Sequence, residues 1–154
     1  MSKTNVLFLC TGNSARSQMA EGLLRHLAGD RYEVFSAGIE PEPVKPEAVA
    51  AMAEIGIDIS AQRSKPLTDF LGRDDFGFLI TVCDRAAQNC PLFPGTGARL
   101  HWPVDDPAAV GGSAEDRLAA FRAARDDFRA KIDEWLTDQR DRADSPAGQS
   151  EERD

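Results

Sequence analysis

Asn5-Val6-Leu7-Phe8-Leu9-Cys10-Thr11-Gly12-Asn13-Ser14-Ala15-Arg16-Ser17 is the stretch on which the reading of this chain turns. Residues 5–9 are a short, continuous apolar run that reads as a buried β-strand. Beyond the loop, Met19, Leu23, Leu24 and Leu27 recur at helical spacing. Cys10 therefore stands at the end of a strand, on a loop that turns directly into a helix. A helix start offers unpaired backbone N–H groups and a partial positive charge, which together bind oxyanions. With Arg16 near, the same field favours the thiolate of Cys10. Five residues separate the thiol from the guanidinium, enough for the backbone of Thr11, Gly12, Asn13, Ser14 and Ala15 to curl around a tetrahedral oxyanion. Arg16 would then grip two oxygens as a fork. Gly12 and Asn13 suit the tight or left-handed positions of such a curl, and the Ser17 hydroxyl is placed to hold the thiolate. No Gly-Lys-Ser/Thr follows, so this is not a nucleotide-binding loop of the Walker type. A nucleophile under an oxyanion cradle is the chemistry these residues support.

Outward from this centre, strands and helices alternate. Tyr32-Glu33-Val34-Phe35-Ser36-Ala37 reads as a second strand. Pro46 opens a helix with Val49, Met52 and Ile55 on one face, and Gly56 stops it. Gly77-Phe78-Leu79-Ile80-Thr81-Val82 is a third strand that ends in Cys83, and Arg99-Leu100-His101-Trp102 is a short fourth. From Ser113 a long amphipathic helix carries Leu118, Phe121, Phe128, Ile132 and Trp135 on one side. This alternation predicts an α/β fold, a single-domain, doubly wound parallel four-stranded sheet. Spacing alone does not prove the strand order, and 2-1-3-4, the usual flavodoxin-like arrangement at this length, is the one expected. The domain is expected to span 1–138, with 139–154 a polar, aperiodic, disordered tail. In such sheets ligands bind at the carboxyl ends of the strands, where the winding reverses. That order would put Cys10 and Cys83 on one rim.

Composition narrows the function classes. The chain has 154 residues and a net charge of −8, which disfavours non-specific nucleic-acid binding. No apolar run reaches membrane-spanning length, and strand one begins too early for a signal peptide, so a cytoplasmic protein is expected. In that compartment the three cysteines should rest as thiols, and their spacing suits neither a disulfide framework nor a structural zinc site. No metal is expected, and His26 and His101 read as structural or surface residues.

Residues 6–25, with Cys10-Thr11-Gly12-Asn13-Ser14-Ala15-Arg16-Ser17-Gln18-Met19-Ala20-Glu21-Gly22, resemble the active-site region of low-molecular-weight protein tyrosine phosphatases. They resemble still more the thioredoxin-coupled arsenate reductases built on that fold. The likeness runs through Phe35-Ser36-Ala37-Gly38 and Ile57-Asp58-Ile59-Ser60 to the region after Cys83, covering roughly residues 4–138. In this family an Asp directly before Pro is the general acid, which the resemblance places at Asp106 of Asp105-Asp106-Pro107. The tyrosine phosphatases usually carry two Tyr after it, lining a phenol pocket. Here Ala108 and Ala109 stand instead.

Thr81-Val82-Cys83-Asp84-Arg85-Ala86-Ala87-Gln88-Asn89-Cys90-Pro91 resembles the redox segment of the reductases. The resemblance implies a relay: Cys10 forms a covalent arsenate adduct, Cys83 attacks Cys10, and Cys90 attacks Cys83. The resulting Cys83–Cys90 disulfide is recycled by thioredoxin, or by a glutaredoxin-type donor, with no bound cofactor. Seven residues of helix would hold Cys83 and Cys90 about 10 Å apart, so their bonding needs that segment to bend or unwind. Some family members hold potassium behind the loop, on ligands that would match Asn13, Glu21 and Ser36 plus an Asp. This chain reads Arg63-Ser64-Lys65-Pro66 there, and the Lys65 ammonium is expected to replace the cation, pairing with Glu21 and holding Asn13. The expected protein is a monomeric arsenate reductase. The alternatives are a phosphatase whose Cys83 and Cys90 guard Cys10 from oxidation, and a non-catalytic oxyanion-binding redox sensor.

Overall fold

The computed structural model describes residues 3–90 and 96–144. Strands β1 (Thr4–Cys10), β2 (Tyr32–Gly38), β3 (Phe76–Thr81) and β4 (Ala98–His101) form one parallel sheet in the order β2-β1-β3-β4. This is the order expected as the usual one for a chain of this length. The chain winds from β1 out to β2, then crosses back to β3 and continues to β4. β1 has a strand on each side, and Val6, Leu7, Phe8 and Leu9 are fully buried. Burial on both faces is why this strand is continuously apolar instead of alternating. Cys10 pairs with Gly38, Leu9 with Thr81, and Thr81 with His101, so the carboxyl ends of all four strands share one rim. The winding reverses between β1 and β3, which opens a crevice there.

Helices α1 (Arg16–Ala28), α2 (Pro46–Ala53) and α4 (Ala114–Asp144) pack against one another. Pro46 occupies the first turn of α2, where its missing N–H costs nothing. Gly56 follows the helix with φ +81°, a left-handed conformation that glycine adopts without strain. The start of α4 is closed reciprocally: the Asp116 amide donates to Ser113 Oγ and the Ser113 amide to Asp116 Oδ2, both at 3.1 Å. Phe121, Phe128, Ile132 and Trp135 are buried as their spacing implies, and Leu118 is half-buried. Arg125 breaks the pattern, since it is only 8% exposed. Its Nη1 donates to Ala51 O at 2.7 Å and to Glu54 Oε1 at 2.9 Å, the partners a buried guanidinium needs.

One element runs longer than expected. The aperiodic segment from Gln139 does not end α4, which continues to Asp144. Its Gln, Arg and Ala residues are good helix formers, and extending an existing helix requires no apolar face. Residues 145–154, the rest of the expected disordered tail, lie outside the described residues, as do 91–95 in the Pro- and Gly-rich segment. Between the two cysteines stands a short helix, α3 (Asp84–Asn89). The Cys83 sulfur caps its start by accepting from the Ala86 amide at 3.4 Å, and Cys90 stands at its C-cap.

Candidate active site

The loop between β1 and α1 is built around Asn13, which takes a left-handed φ of 48°. Asparagine tolerates this conformation better than most residues, as its place in the sequence predicts. The turn aims the Asn13 amide at Cys10 Sγ, 3.1 Å away, and Ser17 Oγ lies 2.8 Å from the same sulfur. Two polar groups thus face the thiol. α1 begins at Arg16 behind Ala15, with no side-chain hydrogen bond capping it; an uncapped helix start is where an anion finds unpaired amides.

A buried network holds Asn13 in place. Its Nδ2 donates to Ser17 Oγ at 2.7 Å and to Ser36 Oγ at 2.9 Å, and its carbonyl accepts from Gln18 Nε2 at 2.9 Å and Ser64 Oγ at 2.7 Å. Ser36 Oγ in turn donates to Glu21 Oε1 at 2.5 Å. Glu21, 5% exposed, is paired by Arg25 at 2.5 Å and by the Lys65 ammonium at 3.9 Å. Lys65 therefore meets Glu21 as expected, but it holds Asn13 differently. The contact to Asn13 Oδ1, at 2.8 Å, comes from the Lys65 backbone amide, while the ammonium donates to Arg63 O at 2.6 Å. Burial pulls the Lys65 ammonium below its ordinary pKa, and Glu21 opposes that. At the end of β2, a Cβ on Gly38 would lie 2.8 Å from the Asn13 amide nitrogen, so only glycine lets the strand run this close under the loop.

Arg16 leans across the mouth. Its Nη1 donates to Val104 O at 3.0 Å, and its Nη2 lies 3.8 Å from Asp106 Oδ2. Asp106 is itself fixed, because its Oδ1 accepts from the Ala108 amide at 3.0 Å at the start of a one-turn 3-10 helix, Pro107–Ala109. Between them is a cavity of about 110 Å³ lined by Cys10, Gly12, Ser14, Arg16, Asp106 and Ala108, among others. Its scale suits a small tetrahedral anion: a thiol on the floor, amides and a guanidinium around the wall, and a carboxyl at the mouth. Cys83 arrives from the neighbouring strand, with its Sγ 3.2 Å from Thr11 Oγ1. All three cysteines are free thiols; Cys10 and Cys83 are buried and Cys90 is half-buried.

The chain matches the family model for low molecular weight phosphotyrosine protein phosphatases over residues 5–144. It belongs to that family. An arsenate reductase of Shouchella clausii is 49% identical over 133 residues, covering 86% of this chain and 94% of that one. A solved arsenate reductase in its phosphate-binding state superposes with a TM-score of 0.76 at 32% identity, over 88% of this chain and 98% of the other. A thioredoxin-dependent arsenate reductase of Corynebacterium glutamicum gives a TM-score of 0.59 at 29% identity, over 85% of this chain and 62% of that one.

As a member of the low molecular weight phosphatase family, this chain presents Ala108 at the cavity where a phenol-binding pocket would need an aromatic wall. The structure brings together Cys10, Arg16, Asp106 and Cys83, with Cys90 beyond the far end of α3. Sequence reasoning passed over Arg25, Gln18 and Ser64, which support Glu21 and Asn13 from α1 and from the turn before Pro66. Arg25 stands at i+4 from Glu21, a signal that helix spacing alone could have supplied. His101 also does more than fill the surface: Thr81 Oγ1 lies 2.7 Å from its Nδ1, and Asp84 Oδ1 lies 3.0 Å from its Nε2.

Proposed function

We propose that the protein reduces arsenate to arsenite through a relay of three thiols recycled by a thioredoxin-type donor. The observation that carries this reading is the placement of a second thiol, Cys83, one hydroxyl away from the oxyanion loop of Cys10. The reductases among its relatives support it, and so does a cavity whose edge is Ala108 and not an aromatic ring.

In this mechanism Arg16 and the loop amides of residues 11–17 bind arsenate. The Cys10 thiolate attacks arsenic, a sulfur–arsenic bond forms, and Asp106 protonates the departing oxygen as water. The Cys83 thiolate then attacks Cys10 Sγ. The S–S bond forms, the S–As bond breaks, and its electron pair remains on arsenic, which leaves as arsenite. Cys90 attacks Cys83 and frees Cys10, and the donor reduces the Cys83–Cys90 disulfide. The Lys65 ammonium supplies the positive charge beside Glu21 and steadies the support under Asn13.

Arsenate-dependent NADPH oxidation, followed with thioredoxin and thioredoxin reductase and with each omitted in turn, tests this reading. Turnover is expected only when all components are present. With Cys90→Ser, turnover should stop while about one arsenite per enzyme is still released, because the first disulfide can form without Cys90. A Cys90→Ser protein that turns over arsenate at the wild-type rate would rule the relay out.

A further inference from the structure

β4 presents Arg99 and His101 two residues apart, and so on the same side of the strand, where both are exposed. These two side chains take hold of opposite ends of α3. His101 Nε2 lies 3.0 Å from Asp84 Oδ1 at the start of the helix, and Arg99 Nη2 donates to Cys90 Sγ at 3.5 Å at its end. A cavity of about 190 Å³ separates them, lined by Thr81, Ala87, Cys90, Arg99 and His101 with apolar neighbours. We propose that Arg99 is a further catalytic residue, whose guanidinium stabilises the Cys90 thiolate that resolves the Cys10–Cys83 disulfide. The proposal rests on the relay described above.

Thiol–disulfide exchange requires a thiolate as attacker. Half-burial works against this at Cys90, pushing its thiol up from the ordinary value, and the Arg99 charge opposes that push. The other charged groups around α3 are engaged elsewhere: Asp84 with His101, and Arg85 with Glu40 at 2.9 Å. His101 keeps the Cys83 end of α3 on the rim, so the end that must travel is the one carrying Cys90. In the step itself the Cys90 proton is lost to solvent. The Cys90–Cys83 bond forms as the Cys83–Cys10 bond breaks, and the electron pair leaves on Cys10 as thiolate. Disulfide and thiol merely exchange places, so no external oxidant or reductant enters.

The test is iodoacetamide alkylation of Cys90 across pH, read by mass spectrometry, in the wild type, Arg99→Met and Arg99→Lys. Alongside it, conversion of the Cys10–Cys83 disulfide to Cys83–Cys90 is followed after a single addition of arsenate. Arg99→Met keeps the aliphatic stem and loses the charge. It is expected to move Cys90 alkylation to higher pH and to slow both reactions about three- to tenfold at neutral pH, with Arg99→Lys retaining most of the wild-type rate. Release of the first arsenite should not change in either variant, which also reports that they are folded. An unaltered alkylation profile in Arg99→Met would overturn the assignment. A wild type that forms no Cys83–Cys90 disulfide would overturn the relay and this role with it, and the two failures are read by separate measurements.

Discussion

Asn13 ties Cys10 to everything that supports it. Its backbone amide faces Cys10 Sγ, its side chain binds Ser17, Ser36 and the Lys65 amide, and it is fully buried. A buried polar group left unpaired costs about 1–3 kcal/mol, so each partner in this network helps to hold the loop in place. Asp106 stands on the opposite side of the cavity, with a side chain 45% exposed at its mouth. Asp106→Asn should slow single-turnover arsenite release by about 10²-fold or more, as expected for loss of a general acid. Phosphate binding, measured by calorimetry, should persist, because the carboxyl contributes a proton and not a grip. Undiminished arsenite release would remove Asp106 from the mechanism. The thiol, the guanidinium and the left-handed asparagine were all legible from local sequence, because one turn of backbone joins them.

At the scale of elements, the support under the loop is assembled from α1, β2 and the segment before Pro66. Glu21 collects Ser36, Arg25 and Lys65 from these pieces. The ammonium of Lys65 stands 3.9 Å from Glu21, and in the proposed mechanism it brings the positive charge that some family members obtain from potassium. Turnover is therefore expected to be the same in potassium and in sodium at equal ionic strength. Strong activation by potassium in a titration would show that Lys65 does not fill that role. Asn13 Oδ1 is held by the Lys65 backbone amide and not, as the sequence predicts, by its ammonium. Sequence reveals that a lysine is nearby in the chain, but whether its side chain or its main chain faces a partner depends on the path of the loop.

For the whole molecule, α4 closes the fold over α1 and α2, and its charged residues take part. Glu54, just past α2, receives Arg122 at 2.7 Å and Arg125 at 2.9 Å. These guanidinium contacts, above all the hydrogen bonds from Arg122, hold its carboxyl below the ordinary value of 4.5. A carboxyl depressed in the folded state stabilises the protein above its unfolded pKa. That contribution is lost as pH falls through the folded value. Chemical denaturation should show stability dropping on acidification below the ordinary carboxylate range, with a shallower drop in Glu54→Gln. Identical pH slopes in the two proteins would show that this junction does not contribute. The sequence placed most charge of α4 on its outer face, and Arg125 is the exception because Ala51 O and Glu54 meet it from another element.

By itself the sequence determined the alternation of strands and helices, the cysteine and arginine on the first strand-to-helix loop, and the family. Those properties are carried by hydrophobic period and by residues within one turn of each other. Only the tertiary structure decided that Cys83 meets Thr11, that Asp106 reaches Arg16, that Arg25 shares Glu21 with Lys65, and that β4 grips both ends of α3. Most of these contacts join residues far apart in the chain. They arise because the sheet brings the carboxyl ends of its strands to one rim, a consequence of packing that no local pattern of residues encodes.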